Sequence, residues 1–242
     1  MPFPAFVQAD ELEDVFMASL PGTRSKQLAG DPMTRRTSNR VDLPADWSGT
    51  TGGVPGRSQE IFVLAGKLAL ADVELGPGGY AYLPAGSLGF NMTTYDGARI
   101  LYSVSDAEPD AVIRTPILIN ADLLDWQSTT TPGVSTKELR NDPGTGARTW
   151  LLRIEAGATQ TWESSSTVRE GYLFQGTYQH AECVAGEAVV GQYTPGGYFY
   201  RPENAINGGP LSVGSTDAVW FLREATHGVE TTHPACTATD QG

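Results

Sequence analysis

The sequence predicts an all-β protein made of two domains in tandem. Two observations support this prediction: one pattern occurs twice, and the apolar runs are short and end at glycine or proline. Residues 59–66 and 76–86 contain the first copy, and residues 169–176 and 194–202 contain the second. The copies lie about 110 residues apart, whereas solenoid repeats recur every 20–50 residues. A repeat of about half the chain therefore indicates two sister domains.

Each copy begins with a segment capable of one helical turn and continues as strands. The helical segments are residues 10–17 and 121–126, and the remaining apolar runs are rich in Val, Ile, Tyr, Phe and Leu. Turn residues interrupt these runs every 8–12 positions, which is typical of a sandwich or barrel. The second copy has roughly eight additional residues near 179–186. The predicted domains are residues 1–111 and 112–242.

Composition narrows the classes of protein and partner. With 40% hydrophobic and 18% charged residues, the 242-residue chain can build compact cores. A net charge of −12 argues against a nucleic-acid partner, which would need surplus Lys and Arg. No apolar run is long enough to span a membrane, and the first residues do not resemble a signal peptide, so we expect a cytoplasmic protein. The two cysteines are too few for a disulfide framework and are interpreted as incidental.

A family resemblance rests on the motifs of both copies. The strand of residues 59–66, the Gly-Pro-Gly-Gly-Tyr of residues 76–80 and the Pro-Ala-Gly of residues 84–86 resemble a cupin. Because both halves carry the pattern, the chain is similar to two-domain cupins (bicupins) related to the ChrR-type cupins. The resemblance implies two double-stranded β-helix, or jelly-roll, barrels. It also implies a metal held by three His and one Glu or Gln.

The positions that would hold this metal carry no histidine in either copy. They are Gly53, Pro55, Gln59 and Gly89 in the first copy and Glu163, Ser165, Arg169 and Asn207 in the second. A permanently protonated Arg169 would repel a divalent cation. If the alignment shifts by one residue, Glu170 replaces Arg169, and the sequence leaves open which of the two faces the barrel interior. We therefore predict neither a metal nor another cofactor.

The polar replacements in the second copy are the candidate site. Glu163 and Arg169 are expected to form an internal ion pair, which has a structural and a functional interpretation. In the functional one, Arg169 holds a substrate carboxylate or enolate, Glu163 is the general base and Asn207 orients the ligand. Further substrate-binding candidates are Trp162, Ser165, Tyr172, Tyr200 and Trp220.

These residues predict a metal-independent bicupin that binds or acts on a small organic acid or carbonyl compound by acid–base chemistry, as an isomerase, cyclase or lyase. One alternative is a non-catalytic bicupin that binds a small molecule, and another is the metal-dependent dioxygenase implied by the wider family. The first domain is expected to be a scaffold, and a homodimer is possible. His227 and His233 are expected in a solvated tail, whereas the role of His180 stays open.

Overall fold

The structure is a computed structural model that describes residues 3–31, 33 and 36–237. Strands dominate these residues, which confirms the all-β prediction. The helices among the described residues are two short 3-10 helices, Ala9–Glu11 and Ala121–Leu123. Each lies in a segment for which one helical turn was expected. In this part of the chain no helix is long and apolar enough to cross a membrane.

Twenty-four strands are numbered here in chain order. The first eleven are β1 (Val7–Gln8), β2 (Asp14–Val15), β3 (Arg24–Asp31), β4 (Arg36–Leu43), β5 (Trp47–Gly52), β6 (Arg57–Gly66), β7 (Leu68–Leu70), β8 (Val73–Leu75), β9 (Gly79–Leu83), β10 (Gly89–Thr94) and β11 (Ala98–Asp106). The others are β12 (Ile117–Asn120), β13 (Gln127–Ser128), β14 (Val134–Asn141), β15 (Arg148–Ile154), β16 (Trp162–Ser165), β17 (Arg169–Gln175), β18 (Tyr178–Val184), β19 (Glu187–Tyr193), β20 (Gly197–Arg201), β21 (Asn207–Gly208), β22 (Val213–Gly214), β23 (Ala218–Glu224) and β24 (Glu230–His233).

The strands divide into two compact units, named here the first and second barrels. The first barrel contains Ala9–Asp125 and Asp142–Thr145, and the second contains the chain up to Gln8, Trp126–Asn141 and the chain from Gly146 onward. Strand β1 therefore belongs to the second barrel, where Val7 pairs with Tyr198 of β20. Strand β12 belongs to the first barrel and pairs with β9. The predicted division after residue 111 falls within the first barrel, between β11 and β12.

The first barrel combines two antiparallel sheets around an apolar core. One sheet has the order β12-β9-β6-β11-β4-β3-β2, and the other has the order β5-β10-β7-β8. Alternate residues of each strand point inward, as the pleat requires. The core includes Ile61 and Val63 of β6 together with Leu68, Leu70 and Leu75 of the β7–β8 hairpin, all with no exposed surface. This interior is closed by aliphatic side chains.

The second barrel repeats this plan with a larger second sheet. Its seven-stranded sheet has the order β1-β20-β17-β23-β15-β14-β13. Its other sheet has the order β19-β18-β21-β16-β24, and β22 also pairs with β18. Strands β18 and β19 have seven residues each, whereas β7 and β8 have three. The additional residues of the second copy therefore lengthen a hairpin whose inner face contributes to the site.

A glycine ends the corresponding strand region in each barrel for a steric reason. Gly66 and Gly176 have φ of +74° and +88°. A Cβ atom at these positions would lie 2.2 Å from the carbonyl oxygen of Gly97 and 2.1 Å from that of Asp217. Only glycine combines this backbone conformation with so close an approach, which explains why both apolar runs stop at this residue type.

Candidate functional site

The candidate site is a pocket inside the second barrel. The space between its side chains amounts to about 330 Å³, a figure that includes solvent at its open mouth. Apolar and aromatic side chains form half of its lining and polar side chains form the other half. They are Leu152, Ile154, Tyr178, Phe199, Trp220 and Leu222, and Gln160, Glu163, Arg169, His180, Arg201 and Asn207.

Arg169 occupies the start of β17 and is surrounded by carboxylates. Its Nε donates to Glu224 Oε1 at 2.7 Å, and its Nη2 donates to Glu230 Oε1 at 2.8 Å. Glu163 Oε1 lies 3.5 Å from Nη1. Burial disfavours the charged guanidinium, but these carboxylates outweigh burial and raise the pKa of Arg169. The predicted pair with Glu163 is therefore present, but Glu224 is the closer partner.

Glu163 lies on β16 and retains access to the pocket, with 31% of its side chain exposed. Burial raises the pKa of its carboxyl above the usual 4.5. The nearby charge of Arg169 lowers this pKa, while Glu230 and Glu224 raise it further. Because a general base works best when its pKa is close to the working pH, this shift favours a role in proton transfer.

Arg201 carries a second ion-pair network across the pocket. Its Nη2 donates to Glu182 Oε1 at 2.7 Å, and its Nε lies 3.2 and 3.1 Å from Oε1 and Oε2 of the same carboxylate. Burial would raise the pKa of Glu182, but Arg201 and His180 lower it to about 2. The guanidinium also lies 4.0 Å above the ring centre of Phe199. Arg201 is thus fixed on two sides.

His180 is fully enclosed beside Arg201 and is neutral at pH 7. Burial, followed by the charge of Arg201, lowers its pKa below 6.5, although Glu182 and Asn207 act in the opposite direction. Its Nε2 lies 2.9 Å from Arg201 Nη2. Because a guanidinium only donates, Nε2 accepts this bond and Nδ1 carries the ring proton.

One hydrogen-bond donor at the pocket has no partner among the described residues. The hydroxyl of Tyr178 is buried without a hydrogen bond. A buried polar group without a partner is costly, so this hydroxyl suits a ligand oxygen. The guanidinium of Arg201, which bonds through Nε and Nη2, lines the same pocket.

The structure brings together the three predicted catalytic residues. Glu163, Arg169 and Asn207 all line the pocket. The Asn207 amide, however, donates to the backbone oxygens of Glu163 at 3.1 Å and Ala205 at 3.3 Å, so this side chain fixes the backbone of β16. Arg169 faces the pocket, whereas Glu170 accepts a hydrogen bond from Tyr198 at 2.9 Å. Of the two residues left open by the sequence, Arg169 is the pocket-lining one.

The predicted substrate-binding residues fall in different surroundings. Trp220 lines the pocket. Ser165 lies behind it and donates to Glu224 at 3.3 Å. Trp162 packs in a separate cluster with Ala181 and Ile206. Tyr172 is buried and Tyr200 is 40% exposed; neither belongs to the pocket lining.

Several site residues were missed by sequence reasoning. They are Tyr178, His180, Glu182, Arg201, Glu224 and Glu230. The first three lie on the lengthened β18–β19 hairpin. Arg201 and Glu224 stand opposite Arg169 on the two neighbouring strands. The sequence did contain a signal for Arg201 and Glu224, since each is a charged residue at the end of an apolar strand.

Two expectations about the C-terminal segment are wrong. Cys183 and Cys236 form a disulfide, because the fold brings their Cα atoms to 5.4 Å despite a separation of 53 residues. The expectation of a solvated tail is wrong for His233, which ends strand β24 and its four-residue pairing with β16, whereas His227 is exposed as expected. His233 Nε2 lies 2.8 Å from Ser164 Oγ.

Solved structures place this architecture among cupin-type proteins. A Nostoc punctiforme protein described as a "putative dioxygenase" superposes with a TM-score of 0.76 at 19% identity, covering 95% of this chain and 86% of its own. YlbA of E. coli, from the DUF861 family, gives 0.72 at 16% identity, with 90% and 89% covered. A mutant of Bacillus subtilis oxalate decarboxylase gives 0.66 at 11% identity, with 93% and 78% covered. At these identities the likeness establishes the fold alone, which is the cupin-type jelly roll.

The family is established by the sequence itself. The chain belongs to the DUF4437 family, a domain of unknown function, whose model matches residues 7–227. No curated protein matches the sequence significantly.

The cupin fold implies a transition metal, but the residues of the second barrel do not fit one. Arg169 lines the pocket, and Arg201 lies opposite it on β20. Two permanent positive charges would repel a divalent cation. Among the residues that the structure describes, no group of three or more His, Cys, Asp or Glu side chains is arranged to hold a metal ion.

The first barrel fits a metal no better. Gln59 accepts hydrogen bonds from Thr51 Oγ1 at 2.9 Å and from the backbone N–H of Gly52, so its oxygen is already used. Gly53 and Gly89 lie close together and offer no side chain. The polar groups of Gln59 and Thr51 thus satisfy each other.

Proposed function

We propose that the second barrel binds a small carbonyl compound or organic acid and transfers a proton on it without a metal. The observation that supports this best is the presence, in one pocket, of the Glu163 carboxyl with a raised pKa, the unpartnered Tyr178 hydroxyl and the guanidinium of Arg201. A base on one side and donors on the other are what enolisation requires.

In this proposal Glu163 removes a proton from the carbon next to a ligand carbonyl. The negative charge that develops on the carbonyl oxygen is stabilised by Arg201 Nη1 and the Tyr178 hydroxyl, which act as an oxyanion hole. Protonated Glu163 then returns the proton to a different atom, which completes an isomerisation. Arg169 keeps part of the Glu163 population ionised through its positive charge.

The ligand oxygen is assigned to Arg201 because Arg169 already contacts three carboxylates. A ligand carboxylate at Arg169 would have to displace one of them. The aromatic lining of Phe199 and Trp220 favours a ligand with a ring or a short apolar chain.

A non-catalytic binding function is the second candidate. It is favoured by the ion pairs that both guanidiniums make with carboxylates, since ion pairs of this kind also serve structure alone. The dioxygenase alternative rests on the description of the Nostoc punctiforme protein, and the two guanidiniums oppose it.

The test is proton exchange on two probes, phenylpyruvate and phenylacetone, which share a benzyl ketone and differ in the carboxylate. In D₂O the protein is expected to speed deuterium incorporation at the benzylic carbon by about 10²–10⁴-fold, the usual range for general base catalysis. Glu163→Gln on β16 should abolish the increase, and Glu170→Gln on β17 should retain it.

The outcomes separate the candidates. Saturable binding of a probe without exchange supports the non-catalytic function. Exchange that survives in Glu163→Gln contradicts the assignment of the base. Neither binding nor exchange with either probe contradicts the proposed ligand class.

A further inference from the structure

The C-terminal strap, defined as residues 226–236, is attached to the second barrel at both ends. It follows β23, which ends at Glu224, and it finishes at Cys236 in the disulfide with Cys183 of β18. Both cysteines are half-buried and pack against the cluster of Trp162, Ala181 and Ile206. The strap is thus a bridge with a covalent bond at its far end.

Between its ends the strap is held by hydrogen bonds and by the ion pair of Glu230 with Arg169. Strand β24 pairs with β16 at the free edge of the six-stranded sheet. Val229 exchanges bonds with Ser166, and Thr226 bonds Thr167 at 2.9 Å. No residue from 226 to 236 is fully buried. A segment with so little buried apolar surface opens easily unless it is tied down.

The strap forms one edge of the candidate site. Its Glu230 binds Arg169 at 2.8 Å, while Thr232 pairs with Glu163 across the β16–β24 ladder. The same strand pair therefore positions both the third carboxylate of Arg169 and the proposed base.

We propose that the thiol–disulfide state of Cys183 and Cys236 controls whether this strap is closed on the site. Two electrons and two protons convert the disulfide to two thiols, and a dithiol supplies them as it closes to its own cyclic disulfide. Disulfides persist in oxidising surroundings and are reduced in the cytosol. The same chain thus has a fastened and a released state.

Release changes the site in a defined way. Glu230 leaves Arg169, β16 becomes an edge strand, and solvent gains access to Glu163. The effect on the strap is independent of the ligand, whereas its effect on proton transfer rests on the proposed function.

The first experiment follows strap opening without a ligand. Amide hydrogen exchange is measured on the peptide spanning residues 226–237 with and without dithiothreitol. Reduction is expected to speed exchange in this peptide by about tenfold, while peptides from β15 and β23 stay unchanged and report an intact barrel. Equal exchange of the strap in both states would overturn the proposal.

Two variants separate the disulfide from the ion pair. The pair Cys183→Ser and Cys236→Ser should exchange rapidly in the strap and ignore dithiothreitol. Glu230→Gln keeps the disulfide, so its strap should still respond to the reductant. Loss of protection in β15 and β23 of the serine variant would mean that this variant does not fold. In that case the comparison of strap exchange in the wild type, with and without dithiothreitol, tests the proposal.

The second experiment links the strap to the site. Modification of Arg169 by phenylglyoxal should rise by about tenfold on reduction, with Arg57 of the first barrel as the unchanged control. Benzylic exchange of phenylacetone should change in the same samples. If the strap and Arg169 respond to reduction but phenylacetone exchange is absent in both states, the proposed function fails and the redox control of the strap stands. If phenylacetone exchange is present but neither the strap nor Arg169 responds to reduction, only the redox control is overturned.

Discussion

The interiors of the two barrels differ although their strands correspond. Aligning the two copies matches Leu68, Leu70, Leu75 and Leu83 of the first with Tyr178, His180, Tyr193 and Arg201 of the second. The four leucines are almost completely buried in an aliphatic core. Their four counterparts are equally buried but carry polar groups, three of which line the pocket.

The same contrast holds across neighbouring strands. In the first barrel Gln59 lies opposite Leu83 and Val104. In the second, Arg169 lies opposite Arg201 and Glu224. One uncharged polar residue between two apolar ones is thus matched by three charges.

This difference shows how a core becomes a site while the barrel is kept. Each of the two arginines that line the pocket has a buried carboxylate, Glu182 for Arg201 and Glu224 for Arg169. Burial of an unpaired charge would be too costly, so cations and carboxylates must be present together.

The largest expected effect comes from removing one partner of the most buried ion pair, Arg201–Glu182. Arg201→Ala leaves the Glu182 carboxylate enclosed without a cation, and the free energy of unfolding should fall by about 3–5 kcal/mol. Urea unfolding measures this loss. Adding Glu182→Gln with Arg201→Met should restore much of it.

The stability contributed by the Arg201–Glu182 pair should depend on pH through the Glu182 carboxylate. The pKa of Glu182 is lowered to about 2 from the usual 4.5, so its stabilising contribution is complete above 4.5 and is lost as the pH falls towards 2. Leu83→Ala in the first barrel is the control: its cavity costs about 2–5 kcal/mol, with no such pH dependence.

Arg169→Ala should cost somewhat less, about 3 kcal/mol, because Glu230 and Glu163 keep access to water. The stability recovered in a double variant should be greatest when the carboxylate closest to Arg169 is also replaced. Arg169→Met with Glu224→Gln should recover more stability than Arg169→Met with Glu163→Gln, as measured by urea unfolding. Equal recovery in the two double variants would contradict the assignment of Glu224 as the main partner.

The pH dependence of proton exchange on phenylacetone tests Glu163. Because its pKa is raised, the rate should increase with pH along a limb centred above 4.5. Glu230→Gln removes a charge that raises this pKa, so the limb should move to lower pH. The free energy of unfolding should change in the opposite direction. Because the folded state holds the Glu163 proton to higher pH than the unfolded state does, the wild type should lose stability as the pH rises through this window. The Glu163→Gln variant should show no such loss.

The smallest expected effect lies on the other face of β17. Glu170 contacts Arg223 at 3.7 Å near the surface, and such pairs contribute about 0–1 kcal/mol. Glu170→Gln should therefore change the unfolding free energy by less than about 1 kcal/mol. A loss as large as that of Arg169→Ala would remove the contrast between the two faces.

The fold was predictable because its signals are local. Glycines at turns and alternating apolar residues specify strands without knowledge of their partners, and the repeat supplied the number of barrels. Glu163, Arg169 and Asn207 could be found as polar residues at positions that the cupin resemblance marks.

The partners of these residues were not predictable, because they depend on strand register. Glu224 is 55 residues from Arg169, and Glu182 reaches Arg201 across two sheets. The disulfide and β24 were missed for the same reason: a Thr-rich segment resembles a solvated tail until β16 provides a strand to pair with.

The short strand β1 has a consequence for how the chain is made. It completes the edge of the second barrel's larger sheet by pairing with β20, which lies almost at the opposite end of the sequence. Strand β1 must therefore wait until β20 has left the ribosome before that edge can close. A gene fragment beginning at residue 112 would encode a sheet whose outer strand has been left behind.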